Sequence, residues 1–296
     1  MERVTLADGL EFSRIAYGMW RLADGSDLSP AHVRAKIDLC LDQGITTMDQ
    51  ADIYGGYTAE AVFGEVLKAD PSLRNRIEIV TKADIVAPSE RHAHAPVKYY
   101  DTSRAHLHAA VEHSLTNMGI DHVDLFLVHR PDPFMDHNET GAALDELVQS
   151  GKVRFVGVSN FRPFDIRLLR AATKAPLITN QIEISLANIA AFTNGDLAFH
   201  RMRGERVMAW SPLGGGTLMT EDTPLTRVMD AVAADNGVDR AAIAVAFVLA
   251  HPAGLLPVVG TNNLDRIAKI SEATTVQLDR PTWFRLYEAA LGHEVP

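Results

Sequence analysis

The 296-residue sequence predicts a single (β/α)8 barrel covering residues 1–296. Short runs rich in β-branched and apolar residues alternate with stretches of helical periodicity, and eight such runs can be recognised. This alternation favours parallel strands joined by crossover helices, and eight repeats in a chain of this length favour closure into a barrel. An open doubly wound sheet is the rival architecture. It usually carries a G-x-G-x-x-G turn after its first strand, where this chain has Gly18-Met19-Trp20-Arg21.

The elements can be placed in chain order from caps and turn residues. A helix is predicted over residues 30–43, because Ser29 can cap its start and Gly44 can end it. Further helices are predicted over residues 102–118 and 142–148 from their periodicity. The eight candidate strands are residues 14–17, 46–48, 77–81, 123–128, 153–158, 177–180, 206–210 and 256–259.

Composition narrows the class of protein. Apolar residues make up 47% and charged residues 22%, which is ordinary globular usage, and the net charge of −10 offers no general attraction to nucleic acid. The longest apolar run, residues 241–250, is far shorter than the roughly 18 residues of a membrane span and fits a buried helix. The single cysteine, Cys40, lies in an apolar helix and is expected to be buried. We expect a cytoplasmic protein with no membrane partner.

The longest irregular segment is predicted over residues 85–101, directly after the third strand. Long loops in compact domains often carry function, and this one is expected on the face where barrel enzymes keep their sites. It contains His92 and His94, but no cysteine lies nearby, and we expect no metal site.

Polar or ionisable residues recur where candidate strands end. Each has an ordinary structural explanation when taken alone, but together they would form a ring at one rim of the barrel. Tyr54 lies five residues after the first of them and joins the same group. The strand-end residues are Asp49, Lys82, His129, Asn160, Gln181 and Trp210.

Four of these side chains suggest proton transfer to an oxygen atom. A tyrosine such as Tyr54 is a phenol at neutral pH, and a nearby ammonium such as Lys82 would lower its pKa. Asp49 could hold Lys82 in place, and His129 could orient the substrate oxygen. Acyl transfer is disfavoured because no G-x-S-x-G elbow is present.

A proton donor alone cannot reduce a carbonyl, so a hydride-carrying cofactor is expected. Trp210 offers a flat face for a nicotinamide ring, and Asn160 and Gln181 offer amides for its carboxamide. The glycine-rich loop over residues 213–217 allows a close backbone approach. Gly260 and Thr261, followed by Arg266, could bind a phosphate.

These residues occur in motifs that resemble those of the aldo-keto reductases, in the same order. The motifs include Thr47-Met48-Asp49-Gln50-Ala51-Asp52-Ile53-Tyr54-Gly55, Asp121-His122-Val123-Asp124-Leu125-Phe126-Leu127-Val128-His129, Val80-Thr81-Lys82, Gly157-Val158-Ser159-Asn160, Asn180-Gln181-Ile182-Glu183 and Trp210-Ser211-Pro212-Leu213-Gly214. Within that family, the sequence looks like a poorly characterised bacterial oxidoreductase branch.

The resemblance implies a (β/α)8 barrel that reduces aldehydes or ketones with NADPH. It implies that Tyr54 is the general acid, that Lys82 and Asp49 tune it, and that His129 orients the carbonyl. The cofactor-binding residues it implies are Met19, Trp20, Ser159, Asn160, Gln181, Trp210, Ser211, Leu213, Gly214, Gly215, Gly260, Thr261 and Arg266.

Two departures from the family pattern affect these expectations. Many members have a lysine where this chain has Gly260, so NADH stays possible, although Arg266 favours NADPH. The chain ends at Pro296, whereas longer members close the pocket with a tail. An open pocket with a loose substrate preference is therefore expected, shaped by Trp20, residues 85–101 and the loop after Trp210.

Two other functions stay open from the sequence. The first is a regulatory or redox-sensing protein that binds NADPH and turns over slowly, because a fold alone does not give function. The second is a cofactor-free isomerase on the same barrel. The resemblance favours a monomer acting on a small carbonyl compound.

Overall fold

The computed structural model describes residues 1–296. Eight parallel strands form a closed barrel, which confirms the predicted architecture. An antiparallel hairpin of β1 (Arg3–Ala7) and β2 (Leu10–Ser13) precedes it, and the pair β6 (Ile85–Val86) and β7 (Tyr99–Tyr100) lies outside it. The barrel strands are β3 (Ala16–Gly18), β4 (Thr47–Asp49), β5 (Glu78–Ala83), β8 (Val123–Val128), β9 (Val153–Ser159), β10 (Leu177–Glu183), β11 (Met208–Trp210) and β12 (Leu256–Val259).

Helices connect the barrel strands and surround them. The α-helices are α1 (Pro30–Asp42), α2 (Tyr54–Tyr57), α3 (Ala59–Ala69), α4 (Arg104–Met118), α5 (His137–Gln149), α6 (Pro163–Arg170), α7 (Asp196–Met202), α8 (Thr217–Thr220), α9 (Pro224–Asn236), α10 (Arg240–Leu249), α11 (Leu264–Ile267) and α12 (Arg280–Leu291). Short 3-10 helices cover Leu22–Asp24, Pro71–Arg76, Ala190–Phe192, Gly214–Gly216 and Ile270–Thr274.

The helix boundaries follow the capping residues. The Ser29 side chain accepts a hydrogen bond from the backbone of His32, and Gly44 follows α1 with a φ of 75°. Helix α5 begins earlier than the predicted residue 142, because the Asp136 carboxylate accepts from two backbone amides and caps it. Polar caps that stand well before the apolar stretch explain why periodicity alone predicted too short a helix.

The core has an inner and an outer part. Apolar side chains of the strands fill the barrel interior, together with Val4, Leu10 and Phe12 of the first hairpin. Arg3, in β1, pairs with Glu78 at the start of β5, at 2.7 Å. The first hairpin therefore covers the amino-terminal ends of the barrel strands.

The outer part of the core lies between strands and helices. Cys40 is fully buried there, as predicted, and burial raises the pKa of its thiol. The apolar stretch predicted as a buried helix forms α10, whose residues from Ala242 to Val248 are all buried. No helix has both the length and the apolar character that crossing a membrane requires.

Candidate active site

The barrel brings the predicted strand-end residues to one rim. Asp49 and Lys82 end neighbouring strands β4 and β5, and His129 follows β8 directly. Because the strands are parallel, their carboxyl ends meet at the same end of the barrel. That rim is opposite the end covered by the first hairpin.

A buried ion pair joins the first two of these strands. Lys82 Nζ donates to Asp49 Oδ2 at 2.8 Å and to the backbone carbonyl of Gln50 at 2.7 Å. Both side chains are almost completely buried, with 1% and 2% of their surfaces exposed. The same Nζ lies 5.0 Å from the centre of the Tyr54 ring. The predicted group of Asp49, Lys82 and Tyr54 is thus assembled in the structure.

Burial and neighbouring charges together set the protonation states of Lys82 and Tyr54. Burial works to lower the pKa of Lys82, but Asp49 and Tyr54 outweigh it and leave that pKa raised. Burial raises the pKa of Tyr54, and the lowering effects of Lys82 and Arg130 do not reverse the shift. The ammonium does act in the direction that the sequence predicts, but the net shift of the phenol is upward. Tyr54 is therefore a neutral phenol at neutral pH, beside a charged lysine.

A sharp turn after β4 presents Tyr54 to the site. Gly55 and Gly56 follow it with φ values of 59° and 63°, which L side chains rarely adopt. A Cβ on Gly55 would also lie 2.3 Å from the Cβ of Ala23. Both conformation and space therefore require glycine directly after the candidate acid.

His129 faces Tyr54 across the rim. The two rings meet edge to face with centroids 6.2 Å apart, and 7% of His129 is exposed. Burial lowers the pKa of His129 well below its usual value, and the cations of Lys82, Arg130 and Lys98 add to the effect. The imidazole is neutral, and its buried Nδ1 makes no hydrogen bond within the protein. A neutral imidazole can donate one hydrogen bond to a substrate oxygen.

The residues expected to bind the nicotinamide form one hydrogen-bond network. Trp210 Nε1 donates to Asn160 Oδ1 at 2.9 Å, and Asn160 Nδ2 donates to Ser159 Oγ at 2.9 Å and to the His129 carbonyl at 3.2 Å. Ser159 Oγ donates to the Gln181 carbonyl, and Gln181 Nε2 donates to Asp49 Oδ1 at 2.7 Å. The network ties these residues to the Asp49–Lys82 pair.

Strained backbone is concentrated around the site. Four residues other than glycine have positive φ values. Three of them directly follow barrel strands at the rim, Asp84 (130°), Asn160 (63°) and Ser211 (51°), and the fourth, Tyr57 (74°), ends α2. Such conformations cost about 1–3 kcal/mol each and persist where the surroundings enforce them. Asn160 is held in this conformation by its side chain, which makes three hydrogen bonds.

The glycine-rich loop contacts the segment that joins β3 to α1. Gly214, Gly215 and Gly216 all have positive φ values, and Gly215 carries no neighbour within 4 Å of an added Cβ. Its carbonyl accepts a hydrogen bond from Arg21 at 2.8 Å, and Arg21 packs on the exposed ring of Trp20. Positive φ values and open space together give a backbone cradle that side chains would fill, which fits a bound dinucleotide.

The remaining candidate cofactor residues differ in accessibility. Met19 is buried, with its Sδ 3.1 Å from Gln50 Nε2, so only its backbone is available to a cofactor. Arg266 is exposed at the start of α11, and its guanidinium makes no hydrogen bond or ion pair within the protein. Free cationic groups of this kind suit a phosphate.

Close packing explains Gly260. A Cβ there would lie 2.7 Å from the carbonyl oxygen of Gly18, which is the last residue of the adjacent strand β3. The backbones of β12 and β3 leave no room for any side chain. A lysine at this position would force the two strand ends apart.

Sequence reasoning missed several charged residues at the rim. Asp84 Oδ2 accepts from the Arg130 amide at 2.8 Å, and Arg91 lies 3.9 Å from the buried Asp52. Asp84 and Arg130 stand three and two residues beyond the predicted strand ends, so extending the search past the strands would have found them. Arg91 comes from the irregular segment, where no periodic signal exists.

Comparison with known proteins gives matches along nearly the whole chain. The family model described as Aldo/keto reductase family matches residues 14–290. The chain is 58% identical to the 6-dehydroglucose reductase of Agrobacterium fabrum (strain C58), over 100% of both chains. It is 42% identical to the uncharacterized oxidoreductase YcsN of Bacillus subtilis (strain 168), again over 100% of both.

Solved structures share the fold. The thermostable aldo-keto reductase Tm1743 superposes with a TM-score of 0.83 at 24% identity, covering 98% of this chain and 100% of that one. An aldo/keto reductase from Klebsiella pneumoniae, solved in complex with NADP and acetate, gives a TM-score of 0.78 at 25% identity, covering 94% and 92%.

Proposed function

The chain belongs to the aldo/keto reductase family of oxidoreductases, and from this premise we propose that it reduces an aldehyde to an alcohol with NADPH, using Tyr54 as the general acid. One observation carries the proposal. The buried Lys82 ammonium is held by Asp49 at 2.8 Å and lies 5.0 Å from the centre of the Tyr54 ring. Such an arrangement suits a phenol that gives up its proton in the transition state.

Each residue has one task in the proposed reaction. A nicotinamide cofactor, when bound, would supply the hydride that the carbonyl carbon needs. Tyr54 donates its proton to the carbonyl oxygen, which becomes the hydroxyl of the product, and the Lys82 ammonium stabilises the phenolate left behind. Neutral His129 donates a hydrogen bond to the same oxygen and fixes its position. Asp49 keeps Lys82 charged, although burial opposes the charge.

The cofactor residues support NADPH. Trp210 is fixed by its hydrogen bond to Asn160, and Gly215 and Gly216 leave space beside their backbone. Thr261 and the unpaired Arg266 offer a hydroxyl and a guanidinium to the 2′-phosphate that distinguishes NADPH from NADH.

The relative at 58% identity suggests the substrate class. That protein is named a 6-dehydroglucose reductase, and the alignment covers both chains completely. We propose that this chain likewise reduces a sugar aldehyde of the 6-dehydroglucose type to the corresponding primary alcohol. Trp20, which follows β3 at the same rim and is 55% exposed, offers an aromatic face to such a compound.

The test compares Tyr54→Phe with the parent protein, following the loss of nicotinamide absorbance with 6-dehydroglucose. We expect kcat to fall by about a hundredfold or more, the usual contribution of a positioned general acid. Tyr287→Phe is the matched control, because the Tyr287 hydroxyl makes no hydrogen bond within the protein, and it should keep the parent rate. An unchanged rate in Tyr54→Phe would show that the acid is another group.

Running the same assay with NADH tests the cofactor. NADPH should give the lower KM, and equal values would mean that Thr261 and Arg266 do not contact a 2′-phosphate. Bound NADPH without turnover on any carbonyl would instead favour a regulatory protein.

A further inference from the structure

Arg130 has no partner although it stands at the catalytic rim. It follows His129 directly, and its backbone amide is fixed by Asp84 Oδ2 at 2.8 Å. Its guanidinium lies 5.8 Å from the centre of the Trp210 ring and makes no ion pair or hydrogen bond within the protein. Trp210 is also the proposed surface for the nicotinamide ring, so the five donors of Arg130 lie next to the place where chemistry would occur.

Unpaired half-buried arginines are unusual in this molecule. Arg74, with a similar degree of burial, binds Asp124 at 2.8 Å, and Arg170 binds Glu205 at 2.5 Å. A guanidinium that is partly withdrawn from water gains from hydrogen-bond acceptors that match its planar fork. The protein supplies none to Arg130, so its donors are free to bind a ligand.

A second cation without a partner lies in the segment that follows β5. Lys98 lies directly before β7, in the segment that folds over the rim, and makes no ion pair or hydrogen bond. Arg130 and Lys98 both act to lower the pKa of His129, and the groups that act on this imidazole include no carboxylate.

We infer that Arg130 and Lys98 form a cationic subsite that binds oxygen atoms of the substrate beyond its reacting carbonyl. The inference rests on the proposed function and specifies its substrate class: aldehydes with neighbouring hydroxyl groups or with an anionic group. A guanidinium can donate two parallel hydrogen bonds to a diol or to a carboxylate or phosphate. Simple alkyl aldehydes leave these donors unused and are the poorer substrates.

Three aldehydes of equal carbon number test the inference. Butanal has no further oxygen, erythrose carries hydroxyl groups, and succinate semialdehyde carries a carboxylate. We would measure kcat/KM for each with the parent, Arg130→Met, Lys98→Met and Arg76→Met. Arg76 is the matched control, because it is exposed and unpaired but stands before β5, at the opposite end of the barrel.

The readout is the ratio of kcat/KM for an oxygen-bearing aldehyde to that for butanal. Using this ratio cancels any general effect of Arg130 on Tyr54 or His129. We expect Arg130→Met to lower at least one ratio by about tenfold or more, because a site built for hydrogen bonding rejects a substrate that lacks the groups. Lys98→Met should lower the ratio for succinate semialdehyde most, and Arg76→Met should change neither ratio.

The outcomes distinguish hydroxyl groups from an anionic group as the ligand. They also distinguish a failure of the subsite from a failure of the proposed carbonyl reduction. A loss for erythrose identifies hydroxyl groups as the ligand, and a loss for succinate semialdehyde identifies an anionic group. If Arg130→Met lowers all three values equally, the subsite does not exist and Arg130 acts on the reacting groups instead, while carbonyl reduction stands. If the parent reduces none of the three, nor 6-dehydroglucose, the proposed function fails and the inference fails with it.

Variant folding can be checked separately. NADPH binding, followed by tryptophan fluorescence, should be retained in Lys98→Met and Arg76→Met. Arg130→Lys provides a second variant, because it keeps the charge but loses the planar fork. Relative to butanal, kcat/KM in Arg130→Lys should be closer to the parent value for succinate semialdehyde than for erythrose.

Discussion

Burial decides the protonation of the candidate catalytic residues. It raises the pKa of Tyr54 and lowers that of His129, so both are neutral near pH 7. Lys82 keeps its charge only because Asp49 and Tyr54 outweigh the cost of burial. The sequence predicts which residues meet, since each follows a strand of the same barrel. It does not predict the net shift of Tyr54, because burial depends on the turn and the loops that cover the ring.

These shifts predict the pH dependence of carbonyl reduction. Tyr54 must be protonated to act, so activity is present below its pKa and is lost as pH rises through it. Because that pKa is raised above the usual value of about 10, kcat/KM should stay flat through neutrality and fall only in the strongly alkaline range. His129 should add no inflection near its usual value of about 6.5, since its pKa lies well below.

Steady-state kinetics across the neutral and alkaline range would check this profile. The slow residual reaction of Tyr54→Phe serves as the control and should lack the alkaline fall. An inflection close to neutrality in the parent would contradict the assignment of a buried neutral phenol as the acid.

At the scale of the element, the sequence predicts periodic segments well and irregular ones poorly. Helix α1 matches its predicted bounds closely, because Ser29 and Gly44 mark its ends. The segment over residues 85–101 was predicted as a loop, yet its ends pair as β6 and β7. A strand of two residues has no periodic signal, and its position depends on tertiary contacts such as the bond from Tyr57 to the Ile85 carbonyl at 2.9 Å.

Arg91 fastens this segment to the rim. It lies 3.9 Å from the buried carboxylate of Asp52 and packs over the ring of Tyr57, at 5.1 Å. Neither oxygen of Asp52 has a hydrogen-bond partner, and burial raises its pKa well above the usual value. Arg91 is the cation next to this buried acid, although it does not reverse the upward shift of the acid's pKa. Through its contacts with Asp52 and Tyr57 it is a positioning residue for the segment that carries Lys98.

Replacing Arg91 with Met should loosen the segment without removing any group that touches the reacting atoms. We expect KM for the carbonyl substrate to rise by up to about tenfold, equivalent to about 1.4 kcal/mol, while kcat changes little. Limited proteolysis should detect faster cleavage within residues 87–98. Arg76→Met is the control for loss of a positive charge. A fall in kcat at constant KM, with unchanged proteolysis, would show that Arg91 acts on the chemistry instead.

At the scale of the whole molecule, eight alternating units predict a closed barrel. A closed sheet still exposes its interior at the amino-terminal ends of the strands. The β1–β2 hairpin covers the amino-terminal end, and its alternating pattern is too short to predict these two strands from the sequence. Phe12 is fully buried against interior residues such as Leu125 and Met208. The hairpin thus completes the core at the end opposite the candidate site, which leaves the rim free for loops of varied sequence.

Stability and function are divided between the two ends of the barrel. Phe12→Ala should lower the free energy of unfolding by about 3–5 kcal/mol, the usual cost of emptying an aromatic site in a core. Because Phe12 lies at the amino-terminal end, KM for NADPH and for the aldehyde should stay at their parent values at temperatures where the variant is folded. Urea unfolding and steady-state kinetics on the same preparations measure the two quantities. Phe134→Ala is the matched control, since 96% of Phe134 is exposed and its removal should cost less than about 0.5 kcal/mol. A marked rise in either KM for Phe12→Ala would mean that packing at the closed end reaches the catalytic rim, and the two ends would then have to be treated as one coupled unit.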